Sequence, residues 1–140
     1  MGLDMYLSAE RYYWSDELKP EAPNGLPVQS LRVEAGYWRK ANQIHAWFVD
    51  NVQDGEDECL EHYVSREQLI ELRDTCKQVL ADPKKAEELL PPRSGFFFGS
   101  TDVDEWYIKD LEITVDILDR CLDETLYPPS EWDFFYRSSW

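Results

Sequence analysis

The chain is poor in the residues from which most hydrolytic centres are built: its 140 residues include only 2 histidines and 3 cysteines. So few imidazoles exclude a histidine-rich metal centre, although an all-carboxylate magnesium site stays open. The thiols, Cys59, Cys76 and Cys121, are odd in number and lack framework spacing, which fits reduced cysteines in a cytosol-like compartment. Cys59 and His62 have C-x-x-H spacing, but a structural zinc site needs two further ligands that no neighbouring pair supplies, so no metal is assigned. Cations are also scarce: 14 Lys plus Arg face 29 Asp plus Glu, for a net charge of −15. Non-specific affinity for nucleic acid comes mainly from cations meeting phosphates, so neither duplex nucleic acid nor an anionic membrane is an expected partner. No apolar run approaches the ~20 residues of a membrane span. The start, Met1 to Tyr6, has neither the basic nor the apolar region of a signal peptide, and a soluble, cytoplasmic protein is expected. Nucleophile elbow, Cys/His signature, dinucleotide fingerprint and phosphate loop are all missing. No catalytic residue and no cofactor is therefore assigned.

Aromatic residues are plentiful. Six Trp, eight Tyr and six Phe, in a chain that is 43% hydrophobic, place it among folded proteins despite its charge. Its length suits a single globular domain over residues 1–140. A short strand is expected around Met5, Tyr6 and Leu7, then a punctuated connection through Pro20, Pro23, Asn24-Gly25 and Pro27. Leu31, Val33 and Ala35 alternate with Arg32 and Glu34, which predicts a half-buried strand ending near Gly36. A helix is expected from about residue 38 to 52, with Ile44, Trp47 and Phe48 as its apolar stripe. A short strand at 60–64 follows. Ser65 with Gln68 then forms a capping box, opening a helix to about Leu80 that buries Leu69, Leu72, Cys76 and Val79. Pro83 permits one more turn before Pro91-Pro92. Thr101 with Asp104 caps a long helix to about Leu126, striped by Ile108, Leu111, Val115, Leu118 and Leu122. Residues 132–140 read as an aromatic strand able to pair across a two-fold axis, so a homo-oligomer is expected. The sum is an α+β fold, three main helices packed on a small, mostly antiparallel sheet.

Two segments combine cations with aromatics. In the first, Trp38, Asn42 and His45 at i, i+4 and i+7 share a helix face that could stack on a base and bond it. Arg39 or Lys40 beside them would take a phosphate, Arg in bidentate fashion. The second runs from Arg93 through Gly95, Phe96, Phe97, Phe98 and Gly99, glycines bracketing rings that could complete a pocket. Asp110, Glu112, Asp116, Asp119, Asp123 and Glu124 recur along the last helix, as a solvated face or as a row imitating phosphates.

Several strings resemble those of a family of small, largely uncharacterised proteins encoded by bacteriophages and prophages. They are Met1-Gly2-Leu3-Asp4-Met5-Tyr6-Leu7, Gly36-Tyr37-Trp38-Arg39-Lys40-Ala41-Asn42, Ile44-His45-Ala46-Trp47-Phe48, residues 95–101 and residues 104–111. The resemblance implies an accessory factor acting in the host cytoplasm. The leading expectation is a binding protein that sequesters a nucleotide-derived immune second messenger without turnover, through Trp38, Arg39, Lys40, Asn42, His45, Arg93 and Phe96 to Phe98. The alternatives are an acidic inhibitor that contacts a host protein directly, and a metal-dependent hydrolase of a nucleotide signal.

Overall fold

Met5, Leu7 and Ala9 are buried along β1 (Asp4–Tyr12), while Tyr6, Ser8 and Glu10 between them are partly exposed. This period of two gives the strand one core face. The computed structural model describes residues 2–15, 17–95 and 98–140. β1 lies between β2 (Ser30–Arg39) and β4 (Trp132–Ser139), and the short β3 (His62–Val64) pairs with the far side of β4. All pairings are antiparallel, in the order β2-β1-β4-β3. The helices are α1 (Asn42–Asn51), α2 (Arg66–Ala81), the one-turn α3 (Ala86–Leu89) and α4 (Glu105–Cys121). Ile44, Phe48, Leu69, Leu72, Leu111 and Leu118 from the three longer helices join Met5, Leu7, Phe134 and Tyr136 of the sheet in one core.

The α+β class and the antiparallel sheet agree with the sequence pattern. Among the described residues there are four α-helices rather than three, the additional one being the turn permitted after Pro83. The capping box of α2 forms as expected: Gln68 N–H donates to Ser65 Oγ at 3.1 Å, and Ser65 N–H to Gln68 Oε1 at 2.9 Å. Three other features differ. Residues 38–41 do not open α1, because Trp38 and Arg39 stay in β2, paired with Met5 and Asp4, and the chain turns at Lys40 with φ of 56°. Leu31 and Val33 are 38% and 39% exposed, since α4 rests on the other end of β2. There a Cβ on Gly36 would come within 2.5 Å of Ile117 Cγ2, so the helix sits against the glycine itself. A bulge at Ala35, between the pairs Leu7–Gly36 and Ser8–Glu34, also breaks the expected alternation. Finally, β4 is an inner strand, with β1 along one side and β3 covering Phe134 to Tyr136 on the other.

α4 is capped by Asp104 alone, whose Oδ1 accepts from the N–H groups of Trp106 and Tyr107, both at 3.1 Å. Its buried side is Tyr107, Leu111, Thr114, Ile117, Leu118 and Cys121, whereas Ile108, Val115 and Leu122 are only partly covered. The helix ends at Cys121, short of the expected boundary.

Candidate functional site

Trp38, Asn42, His45 and Phe98 of the expected ligand-binding set are buried. Trp38 is 3% exposed, its ring packs edge-on to Phe48 and its Nε1–H donates to Thr114 Oγ1 at 2.8 Å. Because Trp38 lies on a strand, helical spacing does not align it with Asn42 and His45. Asn42 is buried and works as a staple. Its Nδ2 donates to the carbonyls of Phe98 (3.2 Å) and Ser100 (2.8 Å), and its Oδ1 accepts from Arg93 N–H at 3.0 Å. His45 is fully buried between Tyr136 Oη, 2.7 Å from Nδ1, and Asp57 Oδ2, 2.9 Å from Nε2. A carboxylate only accepts, so Nε2 carries the proton and Nδ1 accepts the Tyr136 hydroxyl. Burial holds the His45 pKa below its usual value against the opposing pull of Asp57. Phe98 is buried edge-on to His45 and Trp140. Trp38, Asn42, His45 and Phe98 are thus structural, since each has its polar or aromatic surface already engaged. Arg93 pairs with Asp50 at 2.7 Å on another part of the surface. Phe96 and Phe97 lie outside the described residues.

Arg39 and Lys40 are placed differently. They line a cleft of about 240 Å3 between the end of β2 and the start of α4. The rest of its lining is Gln43 from α1, Gly99, Ser100, Asp102 and Asp104 from the segment before α4, and Trp106, Tyr107 and Asp110 from α4 itself. Gly99, with φ of 89°, lets this loop lie against Lys40, where a Cβ would come within 3.1 Å of the Lys40 Cβ. Arg39 also bonds Asp4 at 2.9 Å. The Tyr37 hydroxyl and that guanidinium hold the Asp4 carboxyl below its ordinary pKa.

The carboxylates of this cleft are the unusual part. Asp104 is occupied by capping α4, whereas Asp110, four residues after Trp106, faces the cleft. Desolvation pushes the Asp110 pKa up to about 6, Asp104 adding repulsion and a hydrogen bond from Gln43 opposing the rise. Trp106 is 71% exposed, so its indole offers an open aromatic face beside that carboxylate. Trp106, Gln43 and the role of Asp110 escaped the sequence reading. Their one local signal was an apolar ring and an acid at i, i+4 on the first turns of a capped helix.

Other surfaces are less available. A groove of about 530 Å3 crosses the uncovered face of the sheet, but its Arg32 is bound to Glu61 through contacts of 2.5 and 2.8 Å. The acidic row on α4 is broken up: Asp110 turns into the cleft and Asp119 pairs with Arg73 at 3.5 Å. Beyond the helix, Asp123 accepts from Thr125. Among the described residues no group of three or more His, Cys, Asp and Glu is placed to hold a metal ion, and no helix is long and apolar enough to cross a membrane. Compared with known proteins, the chain matches no family model, no curated protein and no solved structure.

Proposed function

We propose that the protein captures a small nucleotide-derived ligand, without turnover, in the cleft between the β2–α1 junction and α4. In the setting its sequence strings suggest, it is a phage-encoded factor that sequesters a nucleotide second messenger of host immunity. The observation that carries this reading is the mixed lining of the cleft: Arg39 and Lys40 come to it from the end of β2, the open Trp106 ring and the Asp110 carboxylate from α4. Such a layout suits a ligand with an anionic end and a planar, donor-bearing end, and a nucleotide is one. The stacking ring is Trp106 instead of Trp38. A cavity of about 240 Å3 accommodates one base and its neighbouring phosphate, so a larger signal would engage it through one nucleotide unit.

Calorimetry with the full chain against cyclic dinucleotides, ADP-ribose and mononucleotides tests the reading. Arg39→Ala is expected to weaken binding by about 1.5–3 kcal/mol, with partial recovery in Arg39→Lys, because a point charge replaces the planar fork incompletely. Trp106→Ala is expected to cost about 1–3 kcal/mol through lost stacking. Neither should lower the melting temperature, since both side chains are exposed. Ligand recovered cleaved after incubation with magnesium would favour the hydrolase. Absence of binding across the panel would overturn capture. Nothing in the α4 surface favours the acidic-inhibitor alternative, because its carboxylate row is interrupted.

A further inference from the structure

We propose that the base accepted by this cleft is guanine, read by Asp110 and Gln43 while Trp106 stacks on its face. This rests on the nucleotide-capture reading above. An ionised carboxylate presents two acceptors side by side and no donor. Among the common bases only guanine offers two adjacent donors on its pairing edge, N1–H and the N2 amine. Adenine and cytosine place a ring acceptor beside their amine, which a carboxylate repels, and uracil offers a single N–H between two carbonyls.

The third position agrees with this choice. Gln43 is 3% exposed and lines the cleft from α1, as Asp110 does from α4. Its Nε2 donates to the Tyr107 carbonyl at 3.4 Å, which leaves the second Nε2 hydrogen free of that bond. That second hydrogen is the one guanine O6 would take, with both Asp110 carboxylate oxygens left for N1–H and N2–H. Donor, acceptor, acceptor on the protein then meet acceptor, donor, donor on the base. Trp106 precedes Asp110 by one helical turn, so its ring lies along the same wall as the carboxylate. Asp104 does not compete for the base, because its Oδ1 is held by two backbone N–H groups. Arg39 and Lys40, which line the same cleft, receive the phosphate.

Calorimetry of the full chain with GMP, IMP and AMP at neutral pH tests the proposal. IMP keeps N1–H and O6 but lacks the N2 amine, and AMP lacks all three matched groups. GMP is expected to bind roughly 5- to 150-fold more tightly than AMP, the range of one bidentate base contact, with IMP between them. Asp110→Asn, which keeps the shape of the side chain but replaces an acceptor by a donor, should bring GMP and AMP to similar affinity. Its near-ultraviolet circular dichroism should match that of the wild type. Trp106→Ala should weaken all three by a common factor. Equal binding of GMP and AMP by the wild type would overturn the guanine assignment and leave nucleotide capture standing. A guanine preference that survives in Asp110→Asn would overturn the role of that carboxylate. Failure of all three to bind, together with the wider panel, would overturn capture and the assignment with it.

Discussion

At the scale of single residues, burial acts on Asp110 and His45 with opposite dependence on pH. Asp110, in a cleft it shares with Gln43, Asp102, Asp104, Arg39 and Lys40, has its folded pKa raised by burial to about 6 from an ordinary 3.8. The fold therefore binds that proton more tightly than the unfolded chain does, and protonation stabilises it as pH falls through about 6. His45, facing Asp57 and Tyr136 and feeling Arg93, has its folded pKa lowered from 6.5. Its contribution is present above pH 6.5 and is lost as the pH falls below it, because the unfolded chain takes the proton first. The two effects partly offset each other in the wild type. Asp110→Asn removes the gain and leaves the loss. Thermal melts should therefore show this variant more stable than wild type at neutral pH and more steeply destabilised by acid. A variant that melts lower than wild type at neutral pH would contradict the assigned desolvation of Asp110.

At the scale of elements, α4 packs on β2 at Gly36 as well as through the Trp38–Thr114 bond. A methyl group at Gly36 would collide with Ile117 Cγ2 near its branch point, an atom that cannot swing aside like the end of a long chain. Gly36→Ala should destabilise by about 1–3 kcal/mol through overpacking. Ile117→Ala, which opens a cavity on its own, should cost less in the Gly36→Ala background than alone. A double-mutant cycle in urea measures this coupling, and additive costs would mean that α4 is not held at that point. The same contact explains what the sequence could and could not reveal. β1 was legible because its alternation is local, and α2 because Ser65 and Gln68 complete each other within one turn. The β2–α1 junction was not, since Trp38 is held extended by Met5, far back in the chain, and anchored by Thr114, far ahead. His45 likewise took its meaning from Tyr136 and Asp57. The cleft could not be read at all until β2, α1 and α4 converged. Of the described residues expected from sequence to bind the ligand, Arg39 and Lys40, whose charge keeps them at the surface wherever the turn falls, are the two that line that cleft.

At the scale of the whole molecule, the net charge of −15 sets how an anionic ligand arrives. Beyond about 10 Å at 0.1 M salt the field of individual charges is screened, but at 0.01 M it reaches about 30 Å. At low salt an approaching nucleotide therefore meets the repulsion of the entire acidic surface before it feels Arg39 and Lys40. In the proposed complex the phosphate contacts are with Arg39 and Lys40, which line the cleft together with Asp102, Asp104 and Asp110. Added salt consequently acts on the two rates in different ways. It should raise the association rate by removing long-range repulsion, and raise the dissociation rate by weakening the contacts with Arg39 and Lys40. Stopped-flow measurement of Trp fluorescence on mixing with GMP, between about 0.01 and 0.15 M salt, separates the two effects. Arg39→Ala should retain the rise in association rate, which belongs to the global charge, and lose most of the salt effect on dissociation, which belongs to the cleft. An association rate that falls with salt in the wild type would place the ligand's approach under the control of a local positive field, and would contradict the dominance of the acidic surface at long range.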